Sequence, residues 1–455
     1  MNALRVFAVS LAVLVLAAGA EAGPRGQWSR LPGTVINFAE PGLARSADGV
    51  LHVLYVRDMA ARDDLVHVPI RPNGAVGAAT AALDGWRTLN HPDLLRMPDG
   101  SLRTFFGGIR STTSGEPNRS LNTATAPASG SEWTLQVGKA SQSNSAYTGA
   151  STGAGLARDG TPISAWASTG ELGFHYGVDP ADPDRTVPQM GCCLYQPDIA
   201  TDSATGQTYL GFFSLERGRE GVYVQRISPA GVQGGRVLAP GTRVRGNAVN
   251  PGGRTSLTAR LGAPGVFLAH GRGYPTYSSV ALWRVGAPRP QIVVKADRAE
   301  HVNVAAAPQG RLWLMWERSG TIYATRTNRA ANRLGAVNTL RPPGGGTIFR
   351  LNGEGSAGPL DLVANVRSGG QGLWHQQVWP KLTLIASTRR SGAGRTVTFR
   401  VLDAGDPVAG AVVRVAGRSL RTAVNGTATL RQQRSSPLRA TATRPGYASA
   451  TGRVR

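Results

Sequence analysis

The chain has 455 residues, 59 of them Gly and 29 Pro, with few long helical patterns, which favours an all-β protein large enough for more than one domain. Its formal net charge is +23, but only Lys139, Lys295 and Lys381 are lysines and the arginines are scattered, so the charge carries no specific nucleic-acid signal. No apolar stretch of spanning length follows the first twenty residues, so no transmembrane segment is expected in the mature chain.

Residues 1–22 read as a signal peptide: Arg5, an apolar core from Val6 to Ala18, then small residues at Ala20 and Ala22. Cleavage after Ala22 would give a bacterial protein that is secreted, extracellular or associated with the cell surface. The isolated strand that follows, residues 26–33, has the pattern of the fourth strands of later units.

One phrase then recurs: a strand-like run, a tight turn ending in Gly, and an alternating apolar run. It starts near residues 41, 91, 152, 196, 255, 302 and 348, an interval of about 50 residues that suits a four-stranded propeller blade. Third strands are predicted over 65–70, 121–126, 221–227, 279–285 and 321–327. The last unit lacks a fourth strand, so residues 26–33 are expected to complete it and close a ring without exposed edges. The expectation is a seven-bladed β-propeller over residues 23–380, or a six-bladed one if the weak copy at 256–270 or the last copy is misread.

Around Pro380 the period breaks. Residues 381–455 are expected to hold short strands at 381–387, 396–402, 411–415, 422–430 and 438–443 and to form a small β-sandwich. Residues 382–455 carry 13 Arg against Asp403 and Asp406, a balance of 13 − 2 = +11.

In a ring of this kind, segments entering first strands and leaving second strands share one face. Entries supply Glu40, Asn90, His91, Tyr147, Tyr195, Gln196, Asn250, Glu300, His301 and Arg350; exits supply Arg57, Asp58, Arg110, His175, Glu216, Arg217, His270, Arg272, Glu317, Arg318 and Arg367. Guanidiniums round a funnel could grip a carboxylated or sulfated glycan by bidentate pairing. The plainer reading is that exposed loops of an Arg-rich chain acquire Arg, with Glu216–Arg217 and Glu317–Arg318 as solvated neighbours. The ligand-binding candidates are His91, Tyr195, His270, Arg272, His301, Glu317 and Arg318. No His pair has ligand spacing, so no metal is expected. No cofactor is expected and no catalytic residue is assigned. Cys192 and Cys193, adjacent, would form a vicinal disulfide, remain thiols or pair between chains.

Residues 311–326, Arg-Leu-Trp-Leu-Met-Trp-Glu-Arg-Ser-Gly-Thr-Ile-Tyr-Ala-Thr-Arg, resemble the second- and third-strand phrase of the sialidase-like (BNR/Asp-box) propeller superfamily. The family's Phe/Tyr-Arg-Ile-Pro motif is replaced by Phe-Ala-Glu-Pro at 38–41, and its turn motif survives only as Gly130 and Trp133. The stretches 406–415, 424–430 and 444–447 resemble bacterial Ig-like or carboxypeptidase-regulatory-like modules, which implies an accessory spacer or stalk.

These readings converge on an exported, non-enzymatic, monomeric propeller that binds a glycan or protein at its rim, with an anionic glycan or cell-envelope polymer as the expected partner. The alternative is a diverged sialidase-like glycosidase or polysaccharide lyase. It would draw acids from Glu40, Glu300 and Glu317, with Arg272 and Arg318 holding a substrate carboxylate. In a third reading the basic tail docks on an anionic envelope polymer.

Overall fold

The turns marked in the sequence close by local chemistry. Asp48, Asp99 and Asp159 each accept, through Oδ1, the backbone N–H two residues on, at 3.2, 2.9 and 2.9 Å. Between them Gly49, Gly100 and Gly160 take φ of 86, 90 and 86°, which a Cβ would strain.

The computed structural model describes residues 26–33, 39–59, 62–110, 120–137, 152–167, 172–178, 185–187, 194–214, 216–242, 255–273, 276–367, 372–391, 394–432 and 437–454. The expected signal peptide, Tyr147, Cys192, Cys193 and Asn250 lie outside these residues. No helix among them is long and apolar enough to cross a membrane.

The described chain is all-β. Each hairpin phrase builds the inner part of a four-stranded antiparallel sheet. Sheet I holds Gly42–Arg45, Leu51–Asp58, Asp63–Ile70 and Thr80–Trp86, and sheet II holds Thr88–Arg96, Leu102–Ile109, Ser120–Ala126 and Thr134–Val137. Sheet III holds Thr152–Leu156, Pro162–Ala167, Leu172–Tyr176 and Arg185–Thr186, and sheet IV holds Leu194–Thr201, Thr208–Ser214, Gly221–Ser228 and Gly231–Leu238. Sheet V holds Leu257–Ala259, Val266–Arg272, Ser279–Arg284 and Ile292–Lys295, and sheet VI holds Glu300–Ala307, Arg311–Arg318, Thr321–Arg326 and Asn338–Leu340. Sheet VII takes Ile348–Glu354, Leu360–Val366 and Gly372–Val378 from one end of the chain and Ser29–Arg30 from the other, with Ser29 opposite His375 and Arg30 opposite Trp374.

First strands of consecutive sheets lie side by side, and that of sheet VII meets that of sheet I, so the arrangement is circular and propeller-like. A separate apolar cluster fills each seam. Leu54, Trp86 and Phe106 pack between I and II; Phe174, Phe212 and Tyr223 between III and IV; Trp313, Met315 and Leu362 between VI and VII. Leu31, Tyr55 and Val363 seal VII to I, where alternating apolar residues of each sheet find their partner face.

Polar groups fasten the same joint. The Arg45 guanidinium of sheet I binds Glu354 at 2.5 Å and Asp361, and Asp361 also accepts His375 Nε2–H at 2.8 Å. Burial works to raise the Asp361 carboxyl, but the hydrogen bond and charge of His375, with the charge of Arg45, hold it below the usual carboxylate range.

Beyond Val378 two sheets face each other over a shared core of Phe399, Val413, Leu430 and Ala440. Sheet VIII holds Thr383–Ser391, Gly394–Asp403, Asp406–Pro407 and Thr427–Gln432; sheet IX holds Arg418–Arg421, Val412–Val415, Leu438–Thr443 and Ala450–Val454. This module is fixed to sheet VI. Arg311 reaches Asp403 at 3.2 Å and Asp406 at 2.6 Å, Arg326 also binds Asp403, and the Arg326 guanidinium lies 5.9 Å from the Trp313 ring centre and 5.3 Å from that of Tyr447. The contact is a buried charge network rather than a free tether.

Arg45→Met strands Asp361 and Glu354 and should cost about 3–5 kcal/mol of stability, read as a lower denaturation midpoint in urea. Because Asp361 titrates lower folded than unfolded, its contribution is present above about pH 4 and is lost as pH falls through the folded value; the variant's acid-unfolding curve should be flatter there.

Candidate functional site

Four first strands are interrupted at the same place. The pairing of first and second strands slips between Asn90 and Asp93 in sheet II, Tyr195 and Asp198 in sheet IV, Glu300 and Asn303 in sheet VI, and Ile348 and Arg350 in sheet VII. A bulge of this kind bends the strand and re-aims one side chain. His91 and His301 occupy matching positions in two of them, with φ of 22 and 49°, values that non-glycine residues hold only where surrounding contacts impose them.

The bulges place an arc of polar groups on the strand-entry face across sheets VI, VII, I and II. At one end Glu300 lies opposite Glu317, and Glu300, His301 and Glu317 each offer a donor atom within 4.8 Å of the others. His301 is buried and its Nε2 lies 3.0 Å from the Ile348 carbonyl oxygen of sheet VII, so that nitrogen carries the proton. Two residues on, Arg350 is held in a site whose burial lowers its pKa, while the charge of Glu40 in the segment entering sheet I opposes that shift. The Glu40 N–H donates to His91 Nδ1 at 3.0 Å, and both residues are buried.

Electrostatics single out Glu317. Its side chain is buried and accepts the Gly320 N–H at 2.5 Å. Burial and the charge of Glu300 push its carboxyl up to about 7, against the lowering effect of that hydrogen bond. Near neutral pH it can therefore donate or accept a proton, the condition a general acid needs. Two carboxylates and an imidazole also form a donor set that suits a divalent ion such as Zn²⁺ or Mn²⁺.

The expected site residues thus fall into groups. His301 and Glu317 come together, with Arg318 next to them on the surface; His91 joins the same arc through Glu40. His270 and Arg272 stand apart on the second strand of sheet V. His270 is buried and pushed down to about 4 by desolvation, so it is a neutral packed ring, and Arg272 is half-buried. His175, another expected rim histidine, is buried. Tyr195 lies in the bulged first strand of sheet IV, opposite Phe213. Sequence reasoning missed the meeting of Glu300, His301 and Glu317, which register across one hairpin produces rather than ligand spacing. It also missed the Glu40–Arg350 link.

The surface guanidiniums follow a rule of their own. Glu216 pairs with Arg219 at 3.5 Å, and Glu317 turns inward to Gly320. Their neighbours Arg217 and Arg318 are exposed and, among the described residues, lie in no ion pair; the same holds for Arg367, whose guanidinium stands 5.2 Å from the Phe349 ring centre. A cavity of about 1040 Å³ lies away from the arc, between the hairpin turns of sheets III and IV, lined by Arg158, Asp159, Gly206, Gln207 and Arg226.

No family model and no curated protein matches this chain. Similar solved structures include a fungal alcohol oxidase of the AA5 family in complex with copper, at a TM-score of 0.46 and 12% identity over 95% of this chain and 99% of that one. The Penicillium chrysogenum alpha-L-arabinanase complexed with arabinobiose has a TM-score of 0.43 and 11% identity over 70% and 97% of the two chains. The polysaccharide lyase Uly1 has 0.44 and 8% over 76% and 91%. None of these activities transfers to the arc, whose chemistry follows from its own side chains.

Because Glu317 titrates higher folded than unfolded, its burial costs nothing below about pH 4.5 and progressively more as pH rises towards 7. Glu317→Gln should therefore lose part of the fall in thermal stability that the native chain shows across that window, and above pH 7 it should be the more stable form, by up to about 3 kcal/mol. Melting curves taken from pH 4.5 to 8 check this; a pH dependence identical to the native chain's contradicts it.

Proposed function

We propose that the chain is an exported seven-bladed β-propeller that binds an anionic glycan, carboxylated or sulfated, on its strand-entry face. The carrying observation is that Arg217, Arg318 and Arg367 stand exposed without carboxylate partners although acids adjoin two of them. A surface that merely solvates its charges would pair Glu317 with Arg318; here the acid is turned inward and the guanidinium outward. Planar guanidiniums on rigid strand ends suit bidentate recognition of carboxylate or sulfate. Glu317, protonated over much of the neutral range, would donate to a sugar hydroxyl or ring oxygen. In this proposal the two-sheet module at residues 381–455 is an Ig-like accessory domain.

A second reading, catalysis on the same glycan, is favoured by the proximity of Glu300 and Glu317. Glu300 is exposed and Glu317 has a raised pKa, and an oxygen of each lies within 4.8 Å of the other, near enough for both to reach one bond as the paired carboxylates of retaining glycosidases do. In it Glu317 is the acid, Glu300 the nucleophile or base, and Arg318 the anchor for a substrate carboxylate.

On an array of uronate, sulfated and neutral glycans, the native chain should bind anionic members, and Arg318→Ala/Arg367→Ala should weaken that binding about tenfold or more, from the loss of two charge-assisted contacts. An unchanged profile, or preference for neutral glycans, rejects the binding reading. Release of reducing or unsaturated ends from a bound glycan, abolished by Glu317→Gln, would establish the catalytic one.

A further inference from the structure

The C-terminal module has a charge distribution that its own fold does not balance. Its two acids, Asp403 and Asp406, both face inward onto Arg311 of sheet VI, and Asp403 binds Arg326 as well. From residue 407 to 455 there is no Asp or Glu at all. The arginines that the module presents outward therefore have no Asp or Glu of the module beside them.

Sheet IX concentrates this. Val413, Val415, Ala440 and Ala442 point into the core, so the alternating positions point out. Those outward positions hold Arg414, Arg421, Arg439 and Arg453, all exposed, with Thr441 and Thr451 between them. Arg439 lies directly opposite Arg453. Like charges facing across a strand pair destabilise a sheet, and no carboxylate on this face offsets them. On the outward face of sheet VIII Arg389, Arg400 and Arg431 lie opposite Thr or Ile residues; its in-register pair, Arg390 and Arg395, falls on the other face, where Arg395 is buried and donates to Gln432 Oε1 at 3.1 Å. A composition bias towards Arg would account for sheet VIII. What sets sheet IX apart is that both arginines of its in-register pair, Arg439 and Arg453, are exposed on the outward face.

We propose that the outward face of sheet IX docks an anionic polysaccharide, whose charged groups sit between Arg439 and Arg453 and are flanked by Arg414 and the threonine hydroxyls. The face holds no aromatic ring on which a nucleobase could stack and no large exposed apolar side chain to enter a lipid layer. Because Asp403 and Asp406 clamp the module to sheet VI, this face has a fixed orientation relative to the ring. A chain held there stays near the ring, which raises its effective concentration at a second site. The inference stands on the module alone and does not require the entry-face reading.

The test uses the full chain on an immobilised sulfated polysaccharide such as heparin, with elution by salt and affinity at 0.15 M salt as readouts. Arg414→Ser/Arg439→Ser/Arg453→Ser should elute at markedly lower salt and bind about tenfold more weakly, as expected for three exposed ion pairs. The charge-matched Arg389→Ser/Arg400→Ser/Arg431→Ser variant should change by less than about threefold. Arg453→Thr alone should melt no lower than the native chain, since it relieves a repulsion, which separates lost binding from lost folding. Equal shifts in the two triple variants would overturn the proposal, as would tighter binding to duplex DNA or anionic vesicles than to the polysaccharide. If Arg318→Ala/Arg367→Ala abolished retention while the sheet IX variant kept it, this inference would fail and the entry-face reading would stand.

Discussion

The circular arrangement depends on one repeated hydrogen bond. In four first strands an Asp or Asn reaches from its own sheet to the backbone of the next. Asp93 accepts Ala154 N–H at 2.6 Å, Asp198 accepts Leu257 N–H at 2.7 Å, Asn303 donates to Leu351 O at 2.9 Å, and Asn352 donates to Pro41 O at 2.8 Å. The last of these crosses from sheet VII to sheet I. First strands of neighbouring sheets lie side by side but share no ladder, so a backbone group between them needs a side-chain partner. A short polar side chain supplies the missing partner and sets the spacing between sheets. Ser256 does the same between sheets V and VI, giving a hydrogen bond to Asn303 Oδ1 at 2.5 Å and taking one from Val304 N–H at 2.7 Å.

These bonds also explain the polar arc. In sheets II, IV and VI the strand slips just before the tethering residue, and the position two residues earlier is then free to leave the ladder. That position is His91, Gln196 or His301; in sheet VII the corresponding Arg350 stays in the ladder opposite Asn365, just after the slip. In sheets II and VI the scaffold thus couples a structural tether to a histidine on the entry face, and variation at that one position changes the face without touching the tether. The apolar clusters hold the sheets together; the tethers fix where the chemistry stands.

Much of the architecture could be read from the residues, because period, turn glycines and alternation are local signals. The hairpin turns, the third strands and the pairing of residues 29–30 with the strand around Trp374 follow from them. What the residues did not disclose depends on register. Glu300 lies opposite Glu317 only because the strand slips by one between Glu300 and Asn303, and no pattern of residue types states that slip. The burial of His91, His270 and His301 was equally hidden, since loop-like flanks suggest exposure, while bulges turn His91 and His301 inward and His270 lies within a regular second strand. A usable signal did exist: a polar residue two places before an Asp or Asn recurs at 91–93, 196–198, 301–303 and 350–352. In the module, the missed strands at Arg418–Arg421 and Ala450–Val454 are short and rich in Arg and small residues, so their apolar alternation is weak.

The use of Ser29–Arg30 as the outermost strand of sheet VII has a kinetic consequence. Ser29–Arg30 must wait for almost the whole ring before it finds its partner at Trp374 and His375, so closure is the most non-local step in assembling the circle. Until then sheet VII keeps an unsatisfied edge and Leu31 has no seam to fill. Emergence from synthesis and completion of the tertiary structure are therefore separate events for this molecule, and the ring stays unclosed in the interval between them.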